Sequence, residues 1–187
     1  MLFRSIEVME NLEEKSVNYR IYNQRFENII KNRTTLYVLG NVLNRILHEE
    51  IREKQNLVYS IYVDILRMDH FPTQSYSLYI TFNSDPKNND LIFSEIDRIL
   101  EKLKNGDFEK KYIDEAKLHR INKINEITQS NSFLAYAINS YFFENESITT
   151  INNLDEVVQS ISNYEIVKFS NKTFTDNFIQ ATLLPKN

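Results

Sequence analysis

LNRILHEEIREKQNLVYSIYV, residues 43–63, changes its periodicity partway along. In and ahead of it, Leu36, Leu39, Leu43, Ile46 and Leu47 recur at spacings of three and four, while Arg45, Glu49, Glu50 and Arg52 stand off that stripe. This pattern predicts an amphipathic helix over residues 32–55 with one buried face. Beyond it, Leu57, Tyr59, Ile61, Val63 and Ile65 alternate, as a strand does when successive side chains point to opposite faces. Asn56 stands at the change, and asparagine tolerates the left-handed conformation that ends many helices. A helix therefore passes directly into a strand, with Arg52 on one side of the join and Tyr59 seven residues on.

Working outward, residues 14–22 place Val17, Tyr19 and Ile21 on one parity and mostly polar residues on the other, the signature of a half-buried strand. After 57–65, a loop over RMDHFPTQ (67–74) leads to Tyr76, Leu78, Ile80 and Phe82, which alternate again. The two strands read as an antiparallel pair. Asp85-Pro86 closes the second, Asn88 or Asn89 can cap a helix whose stripe is Leu91, Ile92, Ile96, Ile99, Leu100 and Leu103, and Asn105-Gly106 stops it. Asp107 can cap a further helix through Ile113, Ala116, Ile121 and Ile124. Residues 130–144 form its successor, with Leu134, Ile138, Tyr141 and Phe142. YAINSYFF (136–143) reads as a buried helix face rather than a ligand box. A short helix follows over 153–160, and Ser162 with Glu165 spells a capping box at the head of another. FIQATLLP (178–185) is a closing strand at or near a sheet edge. The order β-α-β-β-α-α-α-α-α-β predicts an α+β fold, an antiparallel-rich sheet with helices packed on one face.

The chain has 187 residues and 42% hydrophobic content, which suits one domain over 1–187. Lys and Arg number 22 against 26 Asp and Glu, a net charge of −4 that lacks the basic footprint of a nucleic-acid binder. Without cysteine there is no disulfide framework, thiolate metal site or cysteine nucleophile. No apolar run approaches the ~20 residues of a membrane span, and MLFRSIEVMENLEEK turns acidic too early for a secretory signal. The chain reads as soluble and without membrane insertion, with cytoplasm and periplasm equally open.

Three histidines, His48, His70 and His119, lie far apart. The nearest approach to a zinc helix is HEEIR (48–52), where a His-Glu-x-x-His motif needs a second imidazole at position 52 and finds Arg. The inverted motif needs Glu at position 51 and finds Ile. Glu49, Glu50 and Glu53 on a basic helix end read as a solvated face. No glycine-rich phosphate loop exists, and Ser16 and Ser60 have no base that sequence identifies.

The segment 43–63 resembles the non-catalytic, C-terminal-type domain of the pitrilysin/insulinase family of zinc metallopeptidases, in which a leucine-rich helix runs into Leu-Arg-Glu-Lys-Gln-Gly-Leu-Ala-Tyr-Ser and then a strand. Arg52, Glu53, Lys54, Gln55, Leu57, Tyr59 and Ser60 match. Ile51 and Asn56 stand where Leu and Gly are usual, and Val58 replaces a small residue. Residues 14–22, 89–117 and 178–185 look like the family's first strand, following helices and closing strand, so the likeness covers nearly the whole chain. It implies the C-terminal domain of a larger peptidase, inactive alone, with no cofactor of its own and zinc in a partner domain or subunit. It also implies that Arg52 and Tyr59 reach into that active site to bind peptide substrate and stabilise the oxyanion. A rival expectation is a catalytically inactive homologue acting as a peptide-binding or structural subunit. A purely architectural account has Arg52 offsetting the helix dipole and Tyr59 packing in the sheet.

Overall fold

In the computed structural model, residues 5–11, 14–69, 72–143 and 147–186 are described. Strands β1 (Ser5–Asn11) and β2 (Ser16–Arg25) precede helix α1 (Ile30–Leu47), which runs into a π-helical turn, His48–Glu53. Strands β3 (Ser60–Asp69) and β4 (Ser75–Ser84) lead to α2 (Asn89–Asn105), α3 (Lys110–Ile127) and α4 (Asn131–Phe143). Short α5 (Leu154–Gln159), α6 (Asn163–Thr173) and β5 (Phe178–Pro185) complete the chain. Among the described residues the sheet has five strands in the order β1-β5-β2-β4-β3; β1 runs parallel to β5 and the other pairings are antiparallel. The expected α+β architecture is present, with helices packed on one face of an antiparallel-rich, mixed sheet.

The core forms where the stripes meet. Leu36, Leu39, Leu43 and Leu47 of α1, Ile92, Ile96 and Leu103 of α2, and Tyr76, Leu78, Ile80 and Phe82 of β4 are all buried in one cluster. Burying each such aliphatic side chain contributes about 1.5–3 kcal/mol. Gly106, at φ 75°, terminates α2 as its position after Asn105 predicts. The capping box is also present: Ser162 Oγ accepts from the Glu165 N–H at 3.3 Å, and the Glu165 carboxylate accepts from the Ser162 N–H at 2.8 Å.

Several expectations need correction. β1 is absent from the predicted order, because its partner β5 lies at the other end of the chain. The helix expected over 32–55 is α-helical only to Leu47; beyond it the ladder widens, and the Lys54 N–H donates to the Glu49 carbonyl at 3.0 Å. β3 extends to Asp69 through the expected loop, of which residues 70–71, including His70, lie outside the described residues, as does Glu144 at the end of the predicted 130–144 helix. Asp107 caps nothing with its side chain; its N–H closes α2 on the Lys102 carbonyl at 2.9 Å, and Glu109 precedes α3. Leu91 points outward, 51% exposed. On α4, Ala137 and Tyr141 are buried but Leu134, Ile138 and Phe142 are exposed, so residues 136–143 are only partly a buried face.

The largest correction concerns β2. Its helix-covered face carries Ser16, Asn18, Arg20 and Tyr22, all buried, while Val17, Tyr19 and Ile21 lie on the opposite, less covered face. The polar side chains are satisfied there. Asn89 Oδ1 accepts from Ser16 Oγ at 2.8 Å, Ser84 Oγ at 2.7 Å and Asn18 Nδ2 at 3.2 Å, and Asn18 Oδ1 accepts from Thr182 Oγ1 at 2.8 Å. Arg20 pairs with Asp97, donates to Gln180 at 2.9 Å and lies between the Phe93 and Phe178 rings. Burial pushes the neighbouring Tyr22 phenol up to about 12, against the lowering effect of Arg20.

Arg120 on α3 is less well provided for. Its guanidinium stacks over the Tyr37 ring at 4.0 Å, its Nε finds no hydrogen-bond partner, and burial lowers its pKa. Arg120→Met keeps the aliphatic stem and removes a desolvated charge, so urea denaturation should show stability unchanged or raised by up to about 1 kcal/mol. A loss above about 1 kcal/mol would mean that the cation–π stack outweighs desolvation.

Candidate functional site

The join between α1 and β3 is fixed from both sides. Asn56 takes φ 52°, its N–H donates to the Arg52 carbonyl at 3.1 Å, and the Leu57 N–H donates to the Ile51 carbonyl at 3.2 Å. Ile51 and Val58 are buried, so the apolar side chains around the turn anchor it in the core while Arg52 and Tyr59 stay outside. Asn56→Gly should stabilise the chain by about 0.5 kcal/mol, since relief of the left-handed backbone outweighs the extra entropy of an unfolded glycine. A lowered thermal midpoint for that variant would contradict this account.

The Tyr59 N–H donates to the Asn83 carbonyl of β4 at 2.8 Å, which sets the backbone. Its side chain is 62% exposed, with the Lys15 ammonium 6.0 Å from the ring centroid. Tyr59 therefore does not pack within the sheet, and the architectural account fails for it. Among the described residues, β3, which begins at the next residue, is an edge strand paired with β4 alone.

Arg52 is also exposed, and its Nη1 lies 2.8 Å from His48 Nε2. A guanidinium only donates, so Nε2 accepts; His48 Nδ1 then carries the ring proton and donates to Glu53 Oε1 at 3.1 Å. Glu53 lies 3.7 Å from Arg45, whose Nε donates to Glu115 at 3.2 Å. On the other flank, Lys54 pairs with Glu50 at 2.6 Å and Glu49 at 3.2 Å, which raises the lysine pKa and lowers that of Glu49. Glu95 on α2 accepts from Gln55 at 3.0 Å and Arg98 at 2.7 Å; Arg98, then Gln55, holds its carboxyl below the usual range. The turn carrying Arg52 is thus tied to α2 and α3.

Asn41, Asn44, Arg45, His48, Glu115 and His119 line a concavity of about 340 Å³ between α1 and α3. The two histidines make no metal site: no group of three or more His, Cys, Asp or Glu able to hold an ion exists among the described residues. Both ring nitrogens of His48 are already engaged. Sequence reasoning weighed His48 only as a zinc ligand and missed it as the partner of Arg52, although their i, i+4 spacing places them on one helix face. No helix among the described residues is long and apolar enough to cross a membrane.

Comparison with known proteins gives one family. The profile of the peptidase M16 inactive domain matches residues 5–119. No curated protein matches the chain. Among solved structures, a conserved protein from Enterococcus faecalis superposes with TM-score 0.84 at 14% identity, over 99% of this chain and 42% of that one. A protease from Helicobacter pylori gives 0.80 at 18% identity, over 97% and 44%. The periplasmic protease PqqL from Escherichia coli gives 0.79 at 16% identity, over 98% and 21%. The chain thus spans less than half the length of each of these relatives, and the likeness is one of fold.

Proposed function

Because the chain belongs to the peptidase M16 inactive-domain family, we propose that it is the substrate-binding, non-catalytic part of a zinc-dependent metallopeptidase. Among the described residues no group of His, Cys, Asp or Glu fits a metal ion, and in this reading the zinc would belong to a separate domain or subunit. The observation that carries the reading is the exposure of Arg52 and Tyr59 beside one backbone join whose apolar neighbours are buried. A guanidinium and a phenol so placed donate hydrogen bonds to peptide carbonyls and to the negative charge that develops on the attacked one. Low local water strengthens such bonds, so closure against a partner would increase their effect. The test combines the chain with the zinc-bearing half and follows cleavage of an unstructured peptide. Activity should require both parts and fall on Arg52→Ala; cleavage indifferent to Arg52 and Tyr59 would refute their roles.

A second reading is favoured by the edge position of β3. An extended peptide could pair along this edge by displacing the Asn44 and Asp64 side chains, which accept from the Val63 and Ile65 N–H groups at 3.0 and 2.7 Å, making the chain a peptide-binding subunit without catalytic duty. Peptide binding by the chain alone, unchanged by the zinc-bearing half, would decide for it.

A further inference from the structure

We propose that His48 is a positioning residue for Arg52, its Nε2 accepting from the guanidinium while its Nδ1 donates to Glu53. The proposal rests on the reading of Arg52 as a peptide contact and adds what orients that contact. An exposed arginine samples many rotamers, and ordering it costs entropy at the moment of binding. Here the 2.8 Å bond to His48 Nε2 fixes one orientation beforehand, and the 3.1 Å bond from Nδ1 to Glu53 fixes the imidazole. Arg45 of α1 lies 3.7 Å from Glu53 and bonds Glu115 of α3, so the acceptor that orients His48 is itself held.

The charged and titratable groups around His48 are therefore Arg52 and Glu53 on its own turn, Arg45 on α1, and Glu115 and His119 on α3. Without an acceptor at the Nε2 position nothing on this turn holds that guanidinium orientation, so loss of the imidazole should lower peptide affinity.

The test measures binding of a fluorescein-labelled, capped, unstructured peptide to the chain and its variants at one fixed pH. His48→Leu should bind about ten-fold more weakly than the wild type, the scale of one hydrogen bond to a charged group. His48→Gln, which keeps an acceptor near the Nε2 position, should bind like the wild type. If His48→Leu matches the wild type while Arg52→Ala is weak, the positioning role is wrong and the Arg52 reading stands. If Arg52→Ala binds like the wild type, that reading falls and takes the proposal with it. Imidazole nitrogen shifts add a readout independent of peptide: a neutral ring protonated on Nε2 overturns the proposal by itself.

Discussion

Tyr59→Phe is expected to lower kcat of the assembled peptidase by roughly 10²-fold with little change in KM, the usual effect of removing one donor to a developing oxyanion. The substitution deletes one hydroxyl and leaves the ring. The side chain is 62% exposed and the backbone bond to Asn83 is unaffected, so folding should not change. Any kinetic loss can then be assigned to chemistry rather than stability. Were KM to rise with kcat unchanged, Tyr59 would contact substrate equally in ground and transition states, as the peptide-binding reading requires. A kcat within about two-fold of wild type would remove Tyr59 from the oxyanion role.

Asn89→Ala should destabilise the chain by about 3 kcal/mol, because it orphans buried donors rather than merely deleting a contact. Ser16, Ser84 and Asn18 all donate to the single oxygen Asn89 Oδ1. Part of the loss is recovered, since Ser16 Oγ also donates to the Ser84 carbonyl at 3.1 Å. Full recovery is blocked by burial, which keeps out the water that would otherwise satisfy these groups. Urea denaturation measures the difference directly, and a loss below about 1 kcal/mol would show that the serines pair adequately on their own. The site is coupled to this network through the chain: Ser84 follows Asn83, whose carbonyl holds the Tyr59 backbone. Asn89→Ala should therefore also speed hydrogen exchange at the Tyr59 amide.

Local signals in the sequence read well where the physics is local. The i, i+3, i+4 leucines of α1, the alternation in β3 and β4, the left-handed Asn56, Gly106 after α2 and the Ser162–Glu165 box each depend on residues a few positions apart. These, with the motif around Arg52 and Tyr59, were enough for the α+β class and the family. β1 was invisible because its pairing energy comes from β5, at the far end of the chain. Asn88 and Asn89 looked alike as helix caps. Only the arrival of Ser16, Asn18 and Ser84 at the head of α2 makes Asn89 a buried acceptor.

For the candidate site, the sequence named Arg52 and Tyr59 and the tertiary structure decided what surrounds them. Alternation alone cannot say which face of a strand the helices will cover: in β2 the partners offered by Asn89, Asp97, Gln180 and Thr182 turn a polar parity inward. Nor can a helical wheel of 3.6 residues per turn foresee the widened ladder at His48–Glu53 or the bonds from Arg52 through His48 to Glu53. Sequence by itself determined the elements other than β1 and named Arg52 and Tyr59 at the join of helix and strand, whereas their exposure came from the structure. The meeting of distant segments decided which polar groups could be buried and what holds Arg52 in place, because a buried polar group is stable only where its partners arrive.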